Sequence, residues 1–288
     1  MFNLRVRLDE AYFVGSSPFD MRVLQAAPVL HLASLDMSKA DAAALSVLAS
    51  LSMPQLTRLR LSSCPALTSL VPLMAQQPQL RSLRLHICHG LTSLRGLSSS
   101  LTLLHVYECA SLTLDGFAAA ALPQLQSLSL DSRGAITSLQ GLSGAGLSVL
   151  MHLYLLDPPS LHGLERSGLR VLRQLHLGEI SMASLHPLDL CDLSSLTELR
   201  LSSVSQLTSL HGLGAVPALA VLELEECSDL VTLAPLFAVP RPALTRLLLY
   251  RCPGVVAREG IPAGYRVCQG ALRIGLCALP DPTRPLPR

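Results

Sequence analysis

Pro54 to Leu73 reads PQLTRLRLSSCPALTSLVPL, and Pro78 to Leu97 repeats it as PQLRSLRLHICHGLTSLRGL. The frame returns from Pro123 (PQLQSLSLDSRGAITSLQGL), from Ser194 (SSLTELRLSSVSQLTSLHGL) and from Pro217 (PALAVLELEECSDLVTLAPL). Weaker copies begin near Leu30, Ser99, Ser148, Arg170 and Pro242. Together they make about ten units with a period of roughly 24 residues, and self-similarity at that spacing is the signature of a solenoid.

Within Leu56–Leu61, side chains two apart share one face of an extended strand. Leu59 and Leu61 therefore point into a core and stack on the equivalent leucines of the next coil. Arg58, Arg60 and Ser62 point outward. The chain then bends at Cys64, and Leu67, Leu70 and Leu73 return to the core from the opposite side. Cysteine suits such a bend because it is small, apolar and able to donate weakly to a carbonyl. Val204, Ile180 and Pro158 take the same position in other units, so packing sets it, not metal binding or thiol reactivity. Five of the eight cysteines (Cys64, Cys88, Cys109, Cys227, Cys252) recur there, which is not the pattern of a disulfide framework. Pro72, Gly96, Gly141, Gly212 and Pro235 disfavour long helices in the turns that follow, whereas the alanine-rich stretches 40–51 and 115–122 are expected to be helical. Arg133-Gly134 replaces the bend cysteine in one unit. A guanidinium does not sit unpaired in such a core, so the loop is expected to reroute.

The pattern L-x-x-L-x-L-x-x-C followed by L-T-S-L-x-x-L resembles the leucine-rich-repeat family across residues 28–262, as a variant with cysteine in place of the more common asparagine. The resemblance implies an α/β solenoid: a horseshoe with a parallel β-sheet on its concave side and mostly irregular or 3₁₀ segments on its convex side. Residues 1–27, with Phe2, Phe13 and Phe19, are expected to cap the first coil, because a bare terminal coil exposes its leucines. Residues 263–277 are the expected C-terminal cap, and 278–288 a proline-rich tail.

Composition narrows the function. Charged residues make up 15% and the net charge is +2, so no bulk electrostatic footprint marks a nucleic-acid or acidic-membrane binder. No apolar run reaches the roughly 18 residues of a membrane span. The first ten residues alternate apolar and charged and lack the core of a signal peptide, so an intracellular, cytoplasmic location is expected, with a cytoskeletal or organellar complex as one version. Phosphate-binding glycine loops are absent, and Gly141-Leu142-Ser143-Gly144-Ala145 departs from a nucleophile elbow at its last position. No enzyme, cofactor or metal site is expected. His86, Cys88 and His89 look like ligands by spacing, but strand alternation sends His86 outward and Cys88 inward.

The outward strand positions are then the candidate site. They carry Arg58, Arg60, Arg84, His86, His105, Tyr107, His152 and Tyr154, then His176, Arg200, Glu223, Glu225, Arg246 and Tyr250. Tyrosine and arginine are enriched at binding hot spots. The early positions are basic, and Glu198, Glu223 and Glu225 make a later zone acidic, an arrangement that would orient a complementary partner. The expected role is a protein-binding scaffold that uses its concave face, a monomeric solenoid within a larger assembly. The alternatives are a regulatory adaptor of phosphatase or ubiquitin-ligase type and an RNA-contacting subunit using Arg58, Arg60, Arg84 and His105.

Overall fold

The computed structural model describes residues 31–131, 133–165, 167–214 and 216–255, residues 10–12, and the backbone of the remaining terminal strands. The chain forms two compact units, 1–169 and 170–288.

In the first unit β1 (Asn3–Val6) and β2 (Glu10–Val14) form an antiparallel hairpin. β2 then opens a parallel series with β3 (Ser34–Ser38), β4 (Arg58–Ser62), β5 (Ser82–His86), β6 (Leu103–Tyr107), β7 (Ser127–Asp131) and β8 (His152–Leu156). The second unit pairs β9 (Gln174–Gly178), β10 (Glu198–Ser202), β11 (Val221–Glu225) and β12 (Arg246–Tyr250) in parallel. An antiparallel pair, β13 (Tyr265–Gly270) and β14 (Arg273–Ala278), adds to it through β14.

The second and fourth residues of each repeat strand are buried, as period-two alternation requires. Leu59, Leu83, Leu104, Leu128 and Leu153 stand in register and are essentially inaccessible to solvent. In the second unit Leu175, Leu199, Leu222 and Leu247 do the same. Each fully buried leucine contributes about 2 kcal/mol, so the ladder dominates cohesion between coils.

Hydrogen bonds from one coil to the next fix the bends. Thr57, Thr102 and, in the second unit, Thr197 and Thr245 donate their hydroxyls to carbonyls of the preceding coil at 3.1–3.2 Å. The residue after β4, β5 and β6 takes a left-handed conformation: Ser63 (φ 53), Ile87 (φ 55) and Glu108 (φ 52). That conformation costs a non-glycine residue about 1 kcal/mol. It is offset because the same amides donate to the next strand's last carbonyl: Ser63 to His86 at 2.7 Å, Ile87 to Tyr107 at 2.9 Å, Glu108 to Asp131 at 3.1 Å. The bend thiols sit beneath these turns. Cys64 donates to the Ser62 carbonyl at 3.3 Å, Cys109 to that of Tyr107 at 3.5 Å, and Cys252 to that of Tyr250 at 3.3 Å. Val204, Ile180 and Pro158 are buried in the same role. Arg133 stays out of the core: it is exposed, takes a left-handed conformation (φ 45) and lies 3.0 Å from Glu108.

Segments opposite the strands are short. α1 (Ala42–Ser50) falls in the first alanine-rich stretch; Asp41 accepts from the Ala44 amide at 2.8 Å, and Ala44, Leu45 and Leu48 pack inward. α2 (Val71–Gln76), α3 (His186–Asp189) and α4 (Ala234–Phe237) each carry a proline in the first turn, where a missing amide hydrogen costs nothing. The second alanine-rich stretch corrects the expectation of a helix over 115–122, since only a 3₁₀ turn forms, at Ala118–Ala120. Gly116 and Ala121 both take positive φ, and between them the chain drives Phe117 and Leu122 fully into the core. Burial of those two large side chains outweighs the helix preference of the alanines. Gly212 has φ 102, and a Cβ there would lie 2.1 Å from the Leu185 carbonyl carbon, so only glycine lets these coils approach. Phe2, Phe13 and Phe19 of the expected N-terminal cap, and the tail beyond Ala278, lie outside the described side chains.

Candidate functional site

All fourteen residues expected on the outward face are found there, each half-buried or exposed. What they touch differs from strand to strand, and that decides what they can bind.

On β2–β5 the register sets Tyr12, Asp36, Arg60 and Arg84 side by side. Glu10, Arg58, Ser34 and Ser82 flank them around a depression of about 330 Å³. Arg58 reaches Glu10 at 3.4 Å and Arg60 reaches Asp36 at 3.9 Å, both loose and largely exposed pairs. Pairs of that kind contribute about 0–1 kcal/mol. The Asp36 carboxyl is pushed up from the ordinary aspartate range, because burial outweighs the attraction of Arg60. Arg84 is exposed and makes no ion pair among the described residues. Its charge acts on His105, whose pKa is lowered first by burial and then by Arg84. The early basic stretch is therefore bracketed by two acids. Glu10 and Tyr12 fall in the stretch the sequence assigns to an N-terminal cap. Only the pairing of β2 with β3 reveals that they belong to the same face.

On β6 and β7 the outward side chains bond one another. The Ser129 hydroxyl donates to the Tyr107 oxygen at 3.0 Å, His105 meets Ser127 at 3.5 Å, and the His105 and Tyr107 rings stand edge to face at 6.0 Å. Ser129 and Asp131, although on outward positions, are 3% and 8% exposed. His86 is tied to Ser62 at 3.2 Å.

In the second unit Arg200 lies between two acids, 2.9 Å from Glu225 and 3.7 Å from Glu223. The Glu225 hydrogen bond is the main reason its pKa rises. The acidic zone of the sequence thus holds its own cation. Gln174 donates to Glu198 at 2.9 Å, and His176 meets Ser202 at 2.9 Å, its pKa lowered chiefly by burial. Arg246 is exposed and Tyr250 half-buried.

Sequence inspection overlooks Arg241. Its guanidinium is 8% exposed and donates to the carbonyls of Leu236 (2.8 Å), Val216 (3.0 Å) and Leu213 (2.5 Å). It joins turns of successive coils. One other unit has a polar counterpart: Gln77, which like Arg241 precedes its unit's proline, is also buried and donates to the Leu51 carbonyl at 2.7 Å.

Neither metal nor acyl-transfer chemistry finds an arrangement among the described residues. Cys88 is inaccessible while His86 and His89 lie outside the core, and no group of three or more His, Cys, Asp or Glu is placed to hold a metal ion. Ser143, His162 and Glu165 line a depression of about 820 Å³, but the His162 ring is solvent-exposed, pairs with Glu165 (3.3 Å), and makes no hydrogen bond to Ser143 among the described contacts. No described helix is long and apolar enough to cross a membrane.

With this geometry in hand, the fold is that of a leucine-rich-repeat solenoid, and solved structures agree. An internalin from Listeria monocytogenes matches with a TM-score of 0.53 at 21% identity, over 85% of this chain and 74% of its own. A chain of the Toll–Spatzle complex from Drosophila matches with a TM-score of 0.63 at 16% identity, over 85% of this chain and 34% of its own. At these identities the likeness is one of fold. No family model matches the chain, and no curated protein is similar to it in sequence.

Proposed function

We propose that this chain is a non-catalytic scaffold that binds a protein partner on the outward face of its strands, as a cysteine-containing repeat variant working within a larger intracellular assembly. The observation that carries the reading is the β2–β5 face. It presents exposed arginines and a tyrosine around a depression on rigid strands, the residue types and the preorganisation that partner surfaces use. Rigid placement matters because little side-chain ordering is left to oppose binding. The matched Drosophila chain is itself part of a protein–protein complex, which is consistent with such a role. The intracellular setting is supported by the six described cysteines, all free thiols and five of them buried.

An RNA-contacting subunit is the second reading, favoured by arginines on adjacent strands. Glu10 and Asp36 beside them weigh against it, since both repel phosphate.

Affinity capture with quantitative mass spectrometry tests the proposal. One variant carries Arg60→Glu, Arg84→Glu and Tyr154→Ala on the strand face. A control carries Val71→Glu and Leu190→Glu, exposed apolar positions away from the strands. Circular dichroism establishes that both fold. Loss of specific proteins from the first variant alone supports the proposal, and loss from the control alone overturns it.

A further inference from the structure

Three of the four arginines on outward strand positions of β2–β11 lie together on β4 and β5, and the fourth, Arg200, is already ion-paired. Arg200 is clamped between Glu223 and Glu225. The first-unit arginines are not. Arg58 and Arg60 hold their acids only at 3.4 and 3.9 Å with about half of each arginine side chain in solvent. Arg84, next in register to Arg60, has no acid partner among the described residues. The depression they line, about 330 Å³, has the buried Leu35 and Leu59 as its floor and Tyr12, 42% exposed, at one end. Such a volume suits two or three side chains of a partner, not a folded surface.

We propose that this depression docks an acidic segment of a protein partner, with an aspartate or glutamate carboxylate taken between Arg60 and Arg84. The site rests on the reading of the strand face as a protein-binding surface and names the chemistry of what binds there. A guanidinium presents a planar fork that matches a carboxylate in bidentate fashion, and two such forks on adjacent strands fix its orientation. The strand spacing of about 4.8 Å lets one carboxylate span both. Glu10 and Asp36 give the site a second pole: they repel a uniformly negative chain and favour a segment whose acidic residue is followed by neutral or basic ones. That polarity separates a peptide from RNA. A phosphodiester backbone carries negative charge at every step and needs a continuous basic track, whereas the outward positions of β6–β8 hold no arginine or lysine.

The test is fluorescence anisotropy with the full chain and three labelled probes: a peptide with two central glutamates and flanking lysines, the same peptide with glutamines, and an oligouridylate. The acidic peptide is expected to bind, more weakly as salt rises, with the glutamine peptide at least tenfold weaker. Arg84→Glu is expected to weaken the acidic peptide at least tenfold, Arg84→Lys less, and Arg170→Glu, exposed and off the strands of the second unit, not at all. Because Arg84 is exposed and makes no ion pair among the described residues, its variants keep the fold, and Arg84→Ala repeats the measurement without introducing a negative charge. Equal binding of both peptides, indifference to Arg84, or binding of the oligouridylate alone would overturn the site. If partners captured from extracts survive Arg84→Glu but are lost with Tyr154→Ala, the scaffold reading stands while the acidic-segment site falls. If the acidic peptide binds through Arg84 but no captured protein depends on the strand face, the scaffold reading falls instead.

Discussion

Ser129 on β7 donates its hydroxyl to the phenol oxygen of Tyr107 on β6, 3.0 Å away and one coil earlier in the chain. Both side chains start on the outward face, yet Ser129 is 3% exposed, because its neighbours lie over it. The face is therefore not uniform: β2–β5 leave a depression open, and β6–β7 close theirs with their own rings and hydroxyls. Tyr107→Phe removes one hydrogen bond and leaves a nearly buried hydroxyl without its acceptor, which costs about 1 kcal/mol. Urea unfolding is expected to show that loss, with partner capture unchanged. A larger effect on capture than on stability would mean that Tyr107 contacts the partner directly.

Arg241 gives a sharper stability test. Its guanidinium supplies three carbonyls of successive turns while almost wholly buried. Arg241→Leu keeps much of the volume but strips those acceptors of their donor, at a cost of about 3 kcal/mol. Arg241→Lys should recover part of it, since an ammonium reaches fewer of the three. Comparable stability of Arg241→Leu and the parent chain would show that the carbonyls find other donors.

The pH response of the strand face follows from His105. Its pKa is lowered by burial first and by Arg84 second. Between that lowered value and the ordinary value of about 6.5, the folded chain binds fewer protons than the unfolded one. Stability is thus complete above neutrality and falls as pH drops through that window. Arg84→Gln removes the smaller cause, so the pKa of His105 should rise yet stay below the ordinary value. Nuclear magnetic resonance titration of the imidazole reads this directly. An unchanged pKa would mean that Arg84 points away from His105 in solution.

Thiol reactivity distinguishes the bend cysteines. Cys64, Cys88 and Cys227 are wholly inaccessible, and Cys64 and Cys227 are pushed up by the neighbouring thiol and by burial. Cys252 is half-buried, and its hydrogen bond from Cys227 lowers its pKa. Under native conditions iodoacetamide should modify Cys252 first among these four, read by peptide mapping. Equal labelling of Cys64 would contradict the packed role assigned to the bend.

The strands and the core were legible because one physical rule repeats: leucines two apart share a face, and ten copies of the rule reinforce one another. The bend cysteines, with Val204 and Ile180 in their place, could be read the same way. Legibility ends where a residue acts through another coil. The Arg58–Glu10 pair joins residues 48 apart, and it depends on β2 joining the parallel series from a stretch without the repeat pattern. Arg241 likewise acts on carbonyls 25 and 28 residues earlier. The alanines of 115–122 announce a helix by propensity, and the burial of Phe117 and Leu122 overrides it.

Site-specific photo-crosslinking tests the central claim most directly. p-Benzoylphenylalanine replaces Tyr12 or Tyr154 on the strand face, or Val71 on the helical side of the same unit, and extracts are irradiated. The account predicts one shared set of crosslinked proteins from Tyr12 and Tyr154 and none from Val71. Crosslinks from Val71 alone would contradict it and move the binding surface to the other side of the repeats.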